Sequence, residues 1–89
     1  MKMEMGQQLD LFPVTAHLHR IDPDQHMKRF YRLYLQPDLF GGCTLVREWG
    51  RIGSGGRMRC DNHPSEGQAL SALLAMAQAK ARRGYAPVS

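Results

Sequence analysis

Thirteen consecutive residues, Arg47 to Arg59, constrain this chain more than any other stretch. Arg47-Glu48-Trp49-Gly50-Arg51-Ile52 reads as a strand, Gly53-Ser54-Gly55-Gly56 as a tight connection, and Arg57-Met58-Arg59-Cys60 as a returning strand. Side chains two apart in a strand share a face, so Arg47, Trp49 and Arg51 project together. A three-residue loop with Gly55 in the left-handed conformation pairs Ile52 with Gly56, Arg51 with Arg57 and Trp49 with Arg59. That register gathers Arg47, Trp49, Arg51, Arg57 and Arg59 on one face and sends Val46, Ile52, Met58 and Cys60 to the other. A four-residue loop instead sends Arg57 and Arg59 to the side of Val46 and Ile52. The three-residue loop sorts the sequence better. Glu48 is its misfit, to be placed at an edge or opposite a cation.

Like charges facing each other destabilise a sheet. A face of arginines around the single tryptophan is therefore costly unless an anion covers it. Guanidinium groups take phosphate oxygens bidentately, and an indole stacks on bases or packs on sugars. The residues alone also allow the plainer reading, in which Trp49 is core and the arginines are a solvated face.

Around this hairpin stand Tyr31-Arg32-Leu33-Tyr34-Leu35-Gln36 before it and a helix ending in Arg83-Gly84-Tyr85 after it. Together with Trp49-Gly50-Arg51, this order of motifs resembles the WGR domain, known from DNA-dependent poly(ADP-ribose) polymerases and from small bacterial proteins. The resemblance runs from about Thr15 to about Tyr85. It implies an α+β fold, a small antiparallel sheet of four to five strands packed on one C-terminal helix, which binds DNA, often at breaks or ends. In the polymerases the motif's tryptophan and arginine meet the DNA terminus; here those positions are Trp49 and Arg51. The candidate DNA-binding set is Trp49, Gly50, Arg51, Arg47, Arg57, Arg59 and Arg32. The resemblance departs at the helix, where Leu73 and Leu74 stand in place of a buried aromatic residue.

Charge agrees with a polyanion partner. Residues 1–26 carry a net charge of −2 and residues 27–89 carry +6, with histidine counted neutral. A chain of 89 residues makes one domain with a modest core. It holds no Ser-His-Asp or Cys-His set, no phosphate-cradling loop leading into a helix and no clustered carboxylates, so a non-catalytic module is expected. His17, His19 and His26 lack the spacing of a structural metal site, and no cofactor or metal is expected. With no apolar run of membrane-spanning length, no leader pattern and two cysteines unsuited to pairing, the expectation is a cytoplasmic protein without membrane contact.

Residues 1–14 lack periodicity and are expected to form a flexible tail, with the domain proper over residues 15–89. Within the tail, Gln8-Leu9-Asp10-Leu11-Phe12 resembles the peptide by which bacterial replication and repair proteins dock on the DNA polymerase sliding clamp. Apolar anchors in a polar-flanked segment are suited to docking in a cleft.

Strands are expected over Thr15 to Ile21, Lys28 to Gln36, Cys43 to Ile52 and Gly56 to Asn62. In the second, Tyr31, Leu33 and Leu35 face the core, while Phe30, Arg32, Tyr34 and Gln36 share the other face. If that other face continues the Trp49 face, Arg32 and Tyr34 extend the binding platform. Pro37 to Gly42 is a loop, with Gly41 and Gly42 supplying positive φ. Ser65 and Gln68 form a capping box that opens a helix, whose buried stripe is Leu70, Leu73, Leu74, Ala77 and Ala81. The leading function is recognition of DNA ends, nicks or junctions, with clamp recruitment through residues 8–12. The alternative is a protein-interaction adaptor whose basic face meets an acidic protein.

Overall fold

A computed structural model describes residues 14–88. The chain folds as a five-stranded antiparallel sheet with one helix on one of its faces. The strands are β1 (Thr15–Asp22), β2 (Met27–Pro37), β3 (Cys43–Arg51), β4 (Arg57–His63) and β5 (Ala86–Pro87), in spatial order β4-β3-β2-β1-β5. The helix α1 spans Glu66–Arg82. A single 3-10 turn, Pro23–Gln25, joins β1 to β2. Residues 8–12 lie outside the described part of the chain. Val14, assigned to the tail from sequence, packs against the core, and its carbonyl accepts a hydrogen bond from the Leu35 backbone N–H at 3.1 Å.

The core lies between α1 and one sheet face. It comprises Leu18, Tyr31, Leu33, Leu35, Cys43, Leu45, Ala69 and Leu73, all at most 5% exposed. The sequence period correctly brings Tyr31, Leu33 and Leu35 to this side. Ser65 caps the helix by accepting from the Gln68 N–H at 3.2 Å, which satisfies one of the four free donors of the first turn. Gly84, at φ 95°, ends it in the left-handed conformation. The buried stripe differs from expectation. Ala69 and Leu73 are buried and Met76 packs against the core, while Leu74 is 52% exposed and Ala81 is exposed. A helix crossing the sheet buries a narrow arc, and Leu74 falls one position beyond it.

The hairpin register also differs. Trp49 pairs with Arg57, Arg47 with Arg59 and Val46 with Cys60. The connection is longer than the sequence reading proposed because Ile52 still donates its N–H to the Lys28 carbonyl, at 2.9 Å, and so follows β2. Gly53 and Gly56 take positive φ, 92° and 75°, and Gly55 does not. The slip is two residues. A slip of two preserves the face of every side chain, so Arg47, Trp49, Arg51, Arg57 and Arg59 do share one side. In the Pro37–Gly42 loop only Gly41 has positive φ; Gly42 is small because a Cβ there would lie 2.7 Å from Asp38 Oδ2.

A larger correction concerns which side the helix covers. Tyr31 pairs with Trp49, Leu33 with Arg47 and Leu35 with Leu45. Trp49 therefore stands on the helix side, with the core, and the set containing Val46, Met58 and Cys60 forms the opposite face. Arg32, Phe30 and Tyr34 lie on that opposite face and do not extend the Trp49 surface. Glu48 is directly opposite Arg32, and Arg32 Nε donates to its Oε1 at 2.7 Å, so the misfit carboxylate sits opposite a cation. Cys43 is buried, Cys60 is exposed, and neither is in a disulfide.

Candidate nucleic-acid interface

The helix-side face changes character along the strands. At the start of β3 it is apolar: Cys43, then Leu45 beside Leu35. One row on, Arg47 lies beside Leu33 and Arg59. The next row is aromatic, with Tyr31 beside Trp49 and Arg57 beyond it. The last is cationic: Arg20 pairs with Arg29, and Arg29 with Arg51. Three adjacent strands thus present arginine to arginine.

Local sequence produces this row simply. Arg29 precedes Tyr31 by two residues, Arg51 follows Trp49 by two and Arg20 follows Leu18 by two, so each lies on its neighbour's face. The helix runs from the His63 end toward this pole but stops at Arg82, and beyond it the arginines stay open. Arg29, Arg51 and Arg57 are exposed. Arg20 is half-buried against Gly84, where a Cβ would come within 3.3 Å of its Nε. Among the described residues, no carboxylate forms an ion pair with Arg20, Arg29, Arg51 or Arg57. A cleft at this pole is lined by Arg29 and Arg51 together with Lys28, Gln25, His26 and Met27.

Trp49 is half-buried. Tyr31 stacks on it, with ring centroids 5.8 Å apart and an interplanar angle of 13°. One face of the indole is therefore occupied. Tyr85 folds back edge-on to Tyr31 at 6.2 Å, and Lys80 Nζ sits 4.4 Å from the Tyr31 centroid. Burial, reinforced by Arg83 and Arg47, holds the Lys80 ammonium below its ordinary pKa of 10.5.

The other candidate residues have different surroundings. Arg47 Nη2 pairs with Asp61 Oδ2 at 3.1 Å, and Arg59 Nε pairs with Asp61 Oδ1 at 3.1 Å. One carboxylate therefore holds both arginines, and the Arg47 side chain is only 15% exposed. Its long apolar stem packs where a core residue otherwise stands. Arg32 is tied to Glu48 on the far face. Gly50 faces that side as well: a Cβ there would lie 2.7 Å from the Gly56 Cα and 3.4 Å from Phe30 Cε1. At Gly56 a Cβ would collide with the Trp49 carbonyl oxygen. The glycine of Trp49-Gly50-Arg51 thus allows two backbones to cross beneath the Phe30 ring.

Sequence reasoning missed Arg20 and Arg29. The signal was present for Arg29, since the period that sends Tyr31, Leu33 and Leu35 inward includes it. It was present for Arg20 too, which alternates with Leu18, but that the two stand in one row required the pairing of β1 with β2.

Comparisons with known proteins agree with this architecture. The family model described as WGR domain matches residues 14–89. The chain is similar to the uncharacterized protein y4dW of Sinorhizobium fredii, with 37% identity over 75 residues, which cover 84% of this chain and 37% of that protein. It therefore spans little more than a third of that relative's length. No solved structure matches it. The hairpin, the sheet order and a family match that covers all of the described residues make this chain a member of the WGR domain family.

Proposed function

We propose that this protein is a non-catalytic DNA-binding module that recognises ends, nicks or junctions at its cationic pole. WGR domains are in general nucleic-acid-binding and non-catalytic. The observation that carries the reading is the row Arg20, Arg29 and Arg51, which ends one row from Trp49 and Arg57 and has no ion-pair partner among the described residues. Adjacent like charges cost stability; phosphate oxygens spaced along a strand convert that cost into binding. Arg20, Arg29, Arg51 and Arg57 take phosphates in this reading, while Trp49, backed by Tyr31, offers its remaining ring face to a terminal sugar or base. Arg47 and Arg59 serve the site by positioning, since Asp61 already holds them. Recruitment to a replication or repair site through Gln8, Leu9, Asp10, Leu11 and Phe12, docking on the sliding clamp, is the second part of the proposal and rests on the peptide sequence alone.

The deciding experiment is a salt titration of binding to intact, nicked and single-stranded DNA. Four phosphate contacts give a slope of log affinity against log salt of about −3 to −4, and Arg51→Ala reduces its magnitude by about one. Trp49→Phe is expected to lessen the preference for nicked over intact duplex. Absence of binding to every DNA at roughly 50 mM salt would sink the reading and leave the protein-adaptor alternative.

A further inference from the structure

The opposite pole carries a different feature. The loop between β2 and β3 presents Leu39 at 95% and Phe40 at 93% exposure. These are the two most exposed large apolar side chains among the described residues, and they are consecutive. The loop is nevertheless firmly built. Asp38 Oδ1 accepts from the N–H of Phe40 at 2.7 Å and of Gly42 at 2.9 Å, and the Asp38 N–H donates to the Gly42 carbonyl at 2.9 Å. Gly41 supplies the left-handed turn at φ 88°. Closure of the loop thus uses a carboxylate and two glycines and needs nothing from Leu39 or Phe40. Their exposure is not required by the fold.

The sequence supplies an independent observation. Gln36-Pro37-Asp38-Leu39-Phe40 repeats Gln8-Leu9-Asp10-Leu11-Phe12 at every position except the second. With average residue usage, a second copy matching four of the five positions arises by chance in a chain of this length in about one sequence in two hundred. Asp38 in this pattern closes the loop, whereas the exposed Leu39 and Phe40 have no role within the fold and are the part of the repeat left for a partner.

We infer that the β2–β3 loop is a preformed docking hook that inserts Leu39 and Phe40 into an apolar cleft of a partner protein, the same kind of cleft that takes Leu11 and Phe12. The partner has two adjoining apolar pockets. For the identity of that partner the inference rests on the sliding-clamp reading of residues 8–12; for the location of the contact it rests on the loop. A loop already fixed by Asp38 loses little freedom on binding, which favours affinity. Two copies on one chain raise the local concentration of the second once the first is engaged. The hook and the arginine row lie at opposite ends of β3, about 25 Å apart at 3.3 Å per residue, so partner and DNA can be held together.

The test uses the full chain, purified bacterial sliding clamp as the probe, and a nicked duplex. The double variant Leu39→Ser with Phe40→Ser is expected to bind the clamp at least tenfold more weakly than wild type, with unchanged thermal unfolding and DNA affinity. Asp38→Ala, which loosens the loop but keeps both apolar side chains, is expected to weaken clamp binding less. A synthetic peptide of residues 6–14 separates this inference from the reading it rests on. If the peptide binds and the double loop variant binds like wild type, the hook is overturned and the peptide reading stands. If the peptide does not bind while wild type does and the loop variant does not, the hook stands and the peptide reading fails. Wild-type protein that ignores the clamp overturns both. Loss of DNA binding in the loop variant with clamp binding intact assigns Leu39 and Phe40 to nucleic acid and overturns the hook.

Discussion

The two ends of β3 lie on one strand and one face, yet they solve opposite problems. At the Cys43 end, Leu35, Leu45 and Cys43 are at most 2% exposed beneath the first turns of α1. At the Arg51 end, the same face is exposed and carries arginine beside arginine. One end contributes stability and the other gives some up to present charge. In the aromatic row between them Tyr31 is buried with the core and Trp49, stacked on it, is half-buried. In a domain this small the apolar end must supply most of the folding free energy, so substitutions at the two ends are expected to separate cleanly by what they change.

The strongest challenge to this division is Leu35→Ala. Its side chain is fully buried, and truncation is expected to cost about 2–5 kcal/mol, read as a lower midpoint in urea or heat, with DNA affinity per folded molecule unchanged. A loss of affinity without loss of stability would refute the separation. Gly56→Ala comes next. It adds a Cβ against the Trp49 carbonyl at φ 75°, with an expected cost of about 1–3 kcal/mol, and it tests whether the hairpin crossing anchors the cationic pole. Should denaturation show no change, the crossing is dispensable.

Arg29→Gln sharpens the comparison from the other end. Removing the central charge of the row is expected to lower the magnitude of the DNA salt slope by about one and to leave stability unchanged or raised by a few tenths of a kcal/mol, as relief of facing like charges requires. A marked fall in melting temperature would mean that Arg29 holds the fold together. The smallest effect belongs to the far face. Burial, then His19 and Arg32, push the His17 pKa below 6.5. The unfolded chain therefore takes up this proton more readily, and stability falls as pH drops through about 6.5. His17→Gln should flatten that part of the stability profile, and a profile unchanged by the substitution would remove His17 from the account.

Much of this arrangement is legible in the sequence because it is local. The two-residue period brings Tyr31, Leu33 and Leu35 to one side and groups Arg47 with Trp49 and Arg51; the Ser65 cap and Gly84 stop are likewise local. The turn was less legible. The number of residues between paired strands depended on whether Ile52 stays with β2, and the Lys28 carbonyl decides that. Leu74 fitted the helical period but lies outside the arc that meets the sheet.

The sequence by itself determined four of the five strands, the helix and which side chains travel together, since backbone geometry fixes these over a few residues; the short β5 exists only through its pairing with β1. Only the tertiary structure decided that Trp49 belongs to the helix side and that Arg20, Arg29 and Arg51 form one row. Those facts depend on the register between β1, β2 and β3. Register is set by burial across the whole sheet, where a shift of one residue would turn Tyr31, Leu33 and Leu35 away from the helix.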